Sequence, residues 1–124
     1  MPRALSLGMT TQAKPANALV DTDTLNAFLS ACQATLDADW TSRYSATSHP
    51  HMRAYHPRLS VELGRKYAKI VRTDGQAGSR SVFGFVDMTT GLVYKAASWK
   101  KAETNFPRGS VHGFTVSKWI YSIG

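Results

Sequence analysis

At 124 residues and 43% hydrophobic content, the chain suits one small domain with a single core, and its composition excludes a disordered or low-complexity protein. A single cysteine excludes an internal disulfide and a cysteine-based zinc cluster, and no apolar run approaches the roughly 20 residues that span a bilayer. The formal net charge of +7 is unevenly spread: residues 1–57 carry four basic residues against four acidic ones, whereas residues 58–124 carry eleven against Glu62, Asp74, Asp87 and Glu103. That asymmetry favours an anionic partner, nucleic acid first and a membrane surface second, and of the two nucleic acid is the expected partner and a membrane is not.

Residues 1–20 read as an N-terminal arm, flexible or pinned by a partner, ahead of a single domain over 21–124. The arm is small, polar and unpatterned, and MPRALSLGM has no continuous apolar run of the kind a secretory signal needs. The spacing then predicts a helix over 22–38, because Leu25, Phe28, Leu29, Cys32 and Leu36 fall on one apolar stripe. Asp21 to Thr24 offer N-cap candidates, while Asp37 and Asp39 sit at the unfavourable end of the helix dipole and predict fraying there. Cys32 belongs to the stripe and is expected in the core.

Residues 40–58 are expected to connect, since two His-Pro pairs oppose a regular helix. His49, His51 and His56 cluster in this segment, but no carboxylate or thiolate lies beside them to complete a metal shell, so no metal or other cofactor is expected. Leu59–Leu63 alternates like a short edge strand.

The stretch 65–101 organises the chain. It predicts strands over 67–72, 80–86 and 92–97, joined by turns around Asp74-Gly75 and Thr90-Gly91, where glycine supplies a left-handed backbone. Strict alternation puts Phe83 and Phe85 on one side of the middle strand and Val82 and Val86 on the other. The two rings are then either the core face under the helix or an exposed stacking platform. Residues 102–110 read as a loop. The β-branched and aromatic run 111–121 reads as a last strand or a docked extended segment.

Two resemblances attach to these residues. Phe83-Gly84-Phe85-Val86 is similar to the centre of the RNP1 motif of RNA-recognition domains, but Ser81, Val82 and Met88 depart from it. Residues 64–100 resemble small uncharacterised proteins of tailed bacteriophages, through the K-Y-x-K-I-V strand, the F-V-D-x-T-T-G-x-V-Y hairpin and the K-A-A-S-W-K end. That resemblance implies a viral protein working in the cytoplasm of a bacterial host, and it transfers no catalytic residue.

The expected architecture is α+β, one amphipathic helix packed on a small, mostly antiparallel sheet of about three to five strands. The expected function is binding of single-stranded DNA or RNA without strong sequence preference. Lys66, Lys69, Arg72, Arg80, Lys95, Lys100 and Lys101 are the candidate phosphate contacts, and Tyr67, Phe83, Phe85, Tyr94 and Trp99 the candidate stacking rings. The alternative is a protein-binding factor that inhibits a host protein or forms a minor structural subunit, with a homo-oligomer as a further option. A third reading is a metal-independent ribonuclease using His51 or His56, His112, and Lys100 or Lys101; no motif supports catalysis.

Overall fold

The computed structural model describes residues 19–44, 49–75, 78–113 and 122–123. Helix α1 (Thr22–Arg43) opens where the sequence places it, with the Asp21 carboxylate accepting the Thr24 N–H at 2.7 Å. Its buried residues are Leu25, Phe28, Cys32 and Leu36, the expected stripe. Burial pushes the Cys32 thiol up to about 12, which keeps it protonated and unreactive.

The helix runs past 38 to Arg43. The carboxylates that should fray it are occupied: Asp39 pairs with Arg43 at 3.1 Å, and Asp37 takes the Gln33 amide at 2.9 Å and His56 Nε2 at 2.6 Å. These partners offset the charge penalty at the negative helix end. The connecting segment also holds more order than expected, a 3-10 helix Pro50–Tyr55. Proline at its first position needs no N–H partner there.

Five strands follow: β1 (Pro57–Leu63), β2 (Tyr67–Asp74), β3 (Ser79–Asp87), β4 (Leu92–Tyr94) and β5 (Gly109–Ser110). They form one antiparallel sheet in the order β1-β2-β3-β4-β5. With α1 on one face, the architecture is the expected α+β. The β1 edge is tied to the helix through one side chain: Gln33 donates to Pro57 O at 3.0 Å and accepts the Leu59 N–H at 2.8 Å.

The register of β2 on β3 carries the main departure from the sequence reading. Lys69 faces Phe85 and Ile70 faces Gly84, yet Val71 faces Val82, so Phe83 is an extra residue in β3. This β-bulge interrupts alternation. Phe83 and Val86 join the helix-side core with Phe28, Leu36, Ile70 and Val93. Phe85 joins Tyr94 and Ala102 in a second apolar cluster, with Tyr67 and Val82 packed against it. The expectation that Phe83 and Phe85 share a side is therefore corrected: the bulge sends them to opposite faces.

The chain end uses the same bulge. The Ile123 N–H donates to the Phe83 carbonyl at 2.7 Å, and the buried Ile123 side chain lies over Gly84, where a Cβ would come within 2.5 Å of its Cδ1. Ahead of α1, the Val20 N–H donates to Met88 O at 2.9 Å, tying the helix entry to the β3–β4 turn.

Other boundaries shift as well. β4 stops at Tyr94 rather than 97, because Lys95 onward offers no alternating apolar side to bury. Ala96 and Ala102 instead form an isolated bridge, and Trp99 lies in the tight hairpin between them. The expected 102–110 loop contributes β5 at its end. Val111–Gly113 turn rather than extend, and the rest of the expected last strand, 114–121, lies outside the described residues, as does most of the N-terminal arm. Among the described residues no helix is long and apolar enough to cross a membrane.

Candidate nucleic-acid interface

The sheet face away from α1 carries the second apolar cluster, and the cations gather around it. Residues 63–66 turn β1 into β2, with the Gly64 N–H bonded to Tyr67 O at 2.8 Å. That turn presents Arg65 and Lys66 at the mouth of an open pocket of about 400 Å³. Lys69, from β2, and Lys100, from the Trp99 hairpin, line the same pocket, with Tyr67 and Phe85 in its wall and Glu62 as its one acid. Four cations thus converge on a half-apolar concavity, an arrangement suited to an anion carried on a flat ring.

Three ring contacts stiffen the wall. Tyr67 meets Phe85 edge-on at 6.2 Å and Tyr94 edge-on at 6.4 Å, and Lys66 Nζ lies 5.5 Å from the Tyr67 centroid. Burial raises the Tyr94 hydroxyl above the ordinary tyrosine value, and the charge of Asp87 and the neighbouring Tyr67 add to this against Lys66. Tyr94 is accordingly protonated, and it packs behind Tyr67 and Phe85 without lining the pocket itself, which removes it from the stacking candidates. Beside the pocket, Lys69 Nζ sits 4.2 Å and the Arg80 guanidinium 5.2 Å from the Trp99 ring centroid. Glu62 holds both cations, Lys69 at 3.8 Å and Arg80 more closely.

The expected site residues therefore separate. Lys66, Tyr67, Lys69, Phe85 and Lys100 line one pocket, and Arg80 and Trp99 adjoin it. Phe83 is removed from the stacking candidates, being 0% exposed in the helix-side core, and Phe85, 4% exposed, is wall rather than platform. Arg72 points elsewhere: its side chain is 12% exposed and ion-paired to Asp74 at 2.9 Å. Lys95 and Lys101 are exposed but do not line this pocket. Arg65 is the cation that residue-by-residue reading passed over. Its signal was present in the run Gly64-Arg65-Lys66-Tyr67, where a glycine turn precedes paired charges. Of the nuclease candidates, His56 and Lys100 line different pockets. Among the described residues no group of three or more His, Cys, Asp and Glu could hold a metal.

Asp87 shows how the hairpin motif supports this face. Its carboxylate accepts the Thr89 N–H at 2.9 Å and the Thr89 hydroxyl at 2.6 Å, and Lys66 Nζ stands 3.7 Å away. Burial alone would raise this carboxyl, but the Thr89 bonds and Lys66 bring it below the ordinary carboxylate range. A depressed folded-state value means stability that is fully present above the unfolded value of about 4 and lost as pH falls below it towards the folded value. Asp87→Asn is expected to flatten the acid limb of the stability curve, read as urea midpoints between about pH 3 and pH 7. An unchanged acid limb would assign the limb to other carboxylates.

No curated protein and no solved structure matches the chain. A family model does match, over residues 10–121, nearly the whole of the two-layer unit described above. The chain therefore belongs to DUF7717, a family of unknown function.

Proposed function

We propose that the protein binds single-stranded nucleic acid through the pocket between the β1–β2 turn and the Trp99 hairpin. The observation that carries this reading is the convergence of Arg65, Lys66, Lys69 and Lys100 on one open pocket walled by Tyr67 and Phe85. Only Glu62 and the buried Asp87 oppose these four charges. The cations take phosphates, and the half-buried Tyr67 and the rim of Trp99 take bases. None of these contacts reads a base edge, so sequence preference is weak. The phage-like hairpin motif supports a viral setting in a bacterial cytoplasm.

The test is fluorescence anisotropy of a labelled single-stranded oligonucleotide at several salt concentrations. Arg65→Ala with Lys100→Ala is expected to reduce the slope of log affinity against log salt by about 1.4, since each phosphate neutralised on a single strand contributes about 0.7. An unchanged slope, or no binding at low salt, sinks the reading. Trp99, 39% exposed, can be tested singly. Trp99→Ala should cost about 1–3 kcal/mol of binding, and unchanged affinity with a native circular dichroism spectrum would remove it from the site.

A protein-binding role remains the second reading because β1 is an edge strand. Gln33 covers its first half only, and the exposed Leu63 lies in the second. A peptide strand adding there would use main-chain hydrogen bonds. Capture of one host protein by a chain that fails the anisotropy test would favour it.

A further inference from the structure

A second pocket, of about 360 Å³, lies where the C-terminal end of α1 meets the 3-10 helix and the start of β1. Trp40 lines it from α1 and Tyr44 from the cap that follows, Arg53 from the 3-10 helix, His56 from the residue that caps it, and Arg58 from β1. The rings are fixed relative to one another: Trp40 is 4.6 Å from Tyr44 and 6.0 Å from His56, and its indole N–H is held by Met52 O at 3.2 Å.

Charge in this pocket is unbalanced. The nearby carboxylate, Asp37, is engaged by His56 Nε2 at 2.6 Å and by Gln33 at 2.9 Å. Burial raises its carboxyl, but those hydrogen bonds and the charges of His56 and Arg58 bring it below the ordinary range, so it is ionised at neutral pH and already partnered. No carboxylate among the described residues, which include all eight acidic residues of the chain, forms an ion pair with Arg53 or Arg58. The carbonyl end of α1 supplies only about half a negative charge. Two guanidinium forks exceed it, and guanidinium forks match the oxygens of phosphate.

We propose that this pocket is a second ligand site, which takes a nucleoside 5′-monophosphate group, free or as the phosphorylated end of a strand. The phosphate lies between Arg53 and Arg58, and the base lies against the Tyr44 ring. The site shares no lining residue with the cation pocket on the open sheet face. Its success or failure is independent of single-strand binding there.

The experiment is an NMR titration of the full chain with cytidine 5′-monophosphate, read at the His56 ring protons and assigned with His56→Gln. A saturable shift is expected. Arg53→Ala and Arg58→Ala should each weaken it about tenfold or more, the loss of a charge-assisted hydrogen bond. Both side chains are exposed, so neither change threatens the fold. Lys66→Ala with Lys69→Ala should leave the titration unchanged. Parallel titrations with 5′-phosphorylated and 5′-hydroxyl oligonucleotides separate the two forms of the ligand. Tighter binding of the phosphorylated strand identifies a strand end, and saturation by the mononucleotide alone identifies the free nucleotide. A shift that stays linear in concentration, equal shifts from cytidine, or indifference to both arginine variants would overturn the assignment.

Discussion

Phe83→Ala is expected to lower the unfolding free energy by about 3–5 kcal/mol, the usual cost of emptying a buried phenylalanine site. The ring is 0% exposed and belongs to the cluster that joins α1 to the sheet. A domain of this size has about 5–15 kcal/mol in total, so a large part of its stability would go. The cavity cannot relax easily. The backbone on one side is held by the bulge against β2, and the Phe83 carbonyl is bound by the Ile123 N–H. Urea unfolding should show a lower midpoint with an unchanged slope. Phe85→Ala should cost less, because its cluster is smaller and opens onto the pocket. A double-mutant cycle separates the faces: Phe83 should couple to Phe28, a member of the same cluster, and Phe83 with Phe85 should be additive within about 0.5 kcal/mol. Equal single costs with strong Phe83–Phe85 coupling would put both rings on one side.

The same bulge marks the limit of what the sequence discloses. The helix stripe, the Asp21 cap, the central hairpins and the left-handed turn at Gly91 are local patterns, each legible over a few residues. The bulge is not local. Val82-Phe83-Gly84-Phe85 looks like simple alternation, and only the pairing with Ile70 and Val71 reveals the extra residue. Gly84 is a sign in retrospect, since a side chain there would meet Ile123. The helix C-terminus escapes a local reading for a similar reason. Asp37 and Asp39 alone predict fraying, but His56, the partner of Asp37, lies 19 positions on in sequence. In the candidate site, the cations of the basic half were legible as a population. Which of them meet was not, because Lys100 lies far from Lys66 and Lys69 in sequence and joins them at one pocket only through the tertiary fold, while Arg72 is held away by Asp74.

Gly75→Ala is expected to cost about 2–4 kcal/mol, and its comparison with Gly78→Ala isolates why. Both residues have positive φ, +54° and +71°. A β-carbon at either site carries the left-handed penalty of about 1–2 kcal/mol. At Gly78 nothing lies within 4 Å of the added atom, so that penalty is the whole effect. At Gly75 the added atom would overlap the Ala54 carbonyl and crowd Tyr55 Cα at 2.8 Å. Both are backbone, and no rotamer change relieves the overlap. The 3-10 helix must lift away from the β2–β3 turn, or the turn must deform. If the helix lifts, Arg53 and His56 move with it, so the variant should lose cytidine monophosphate binding while retaining the anisotropy signal of the open sheet face. Thermal or urea unfolding measures the cost, and equal losses at Gly75 and Gly78 would mean that the 3-10 helix is not seated on the turn. Selective loss of the mononucleotide titration in Gly75→Ala, with Gly78→Ala unaffected, would make the docking of one short helix the condition for a site built on α1 and β1.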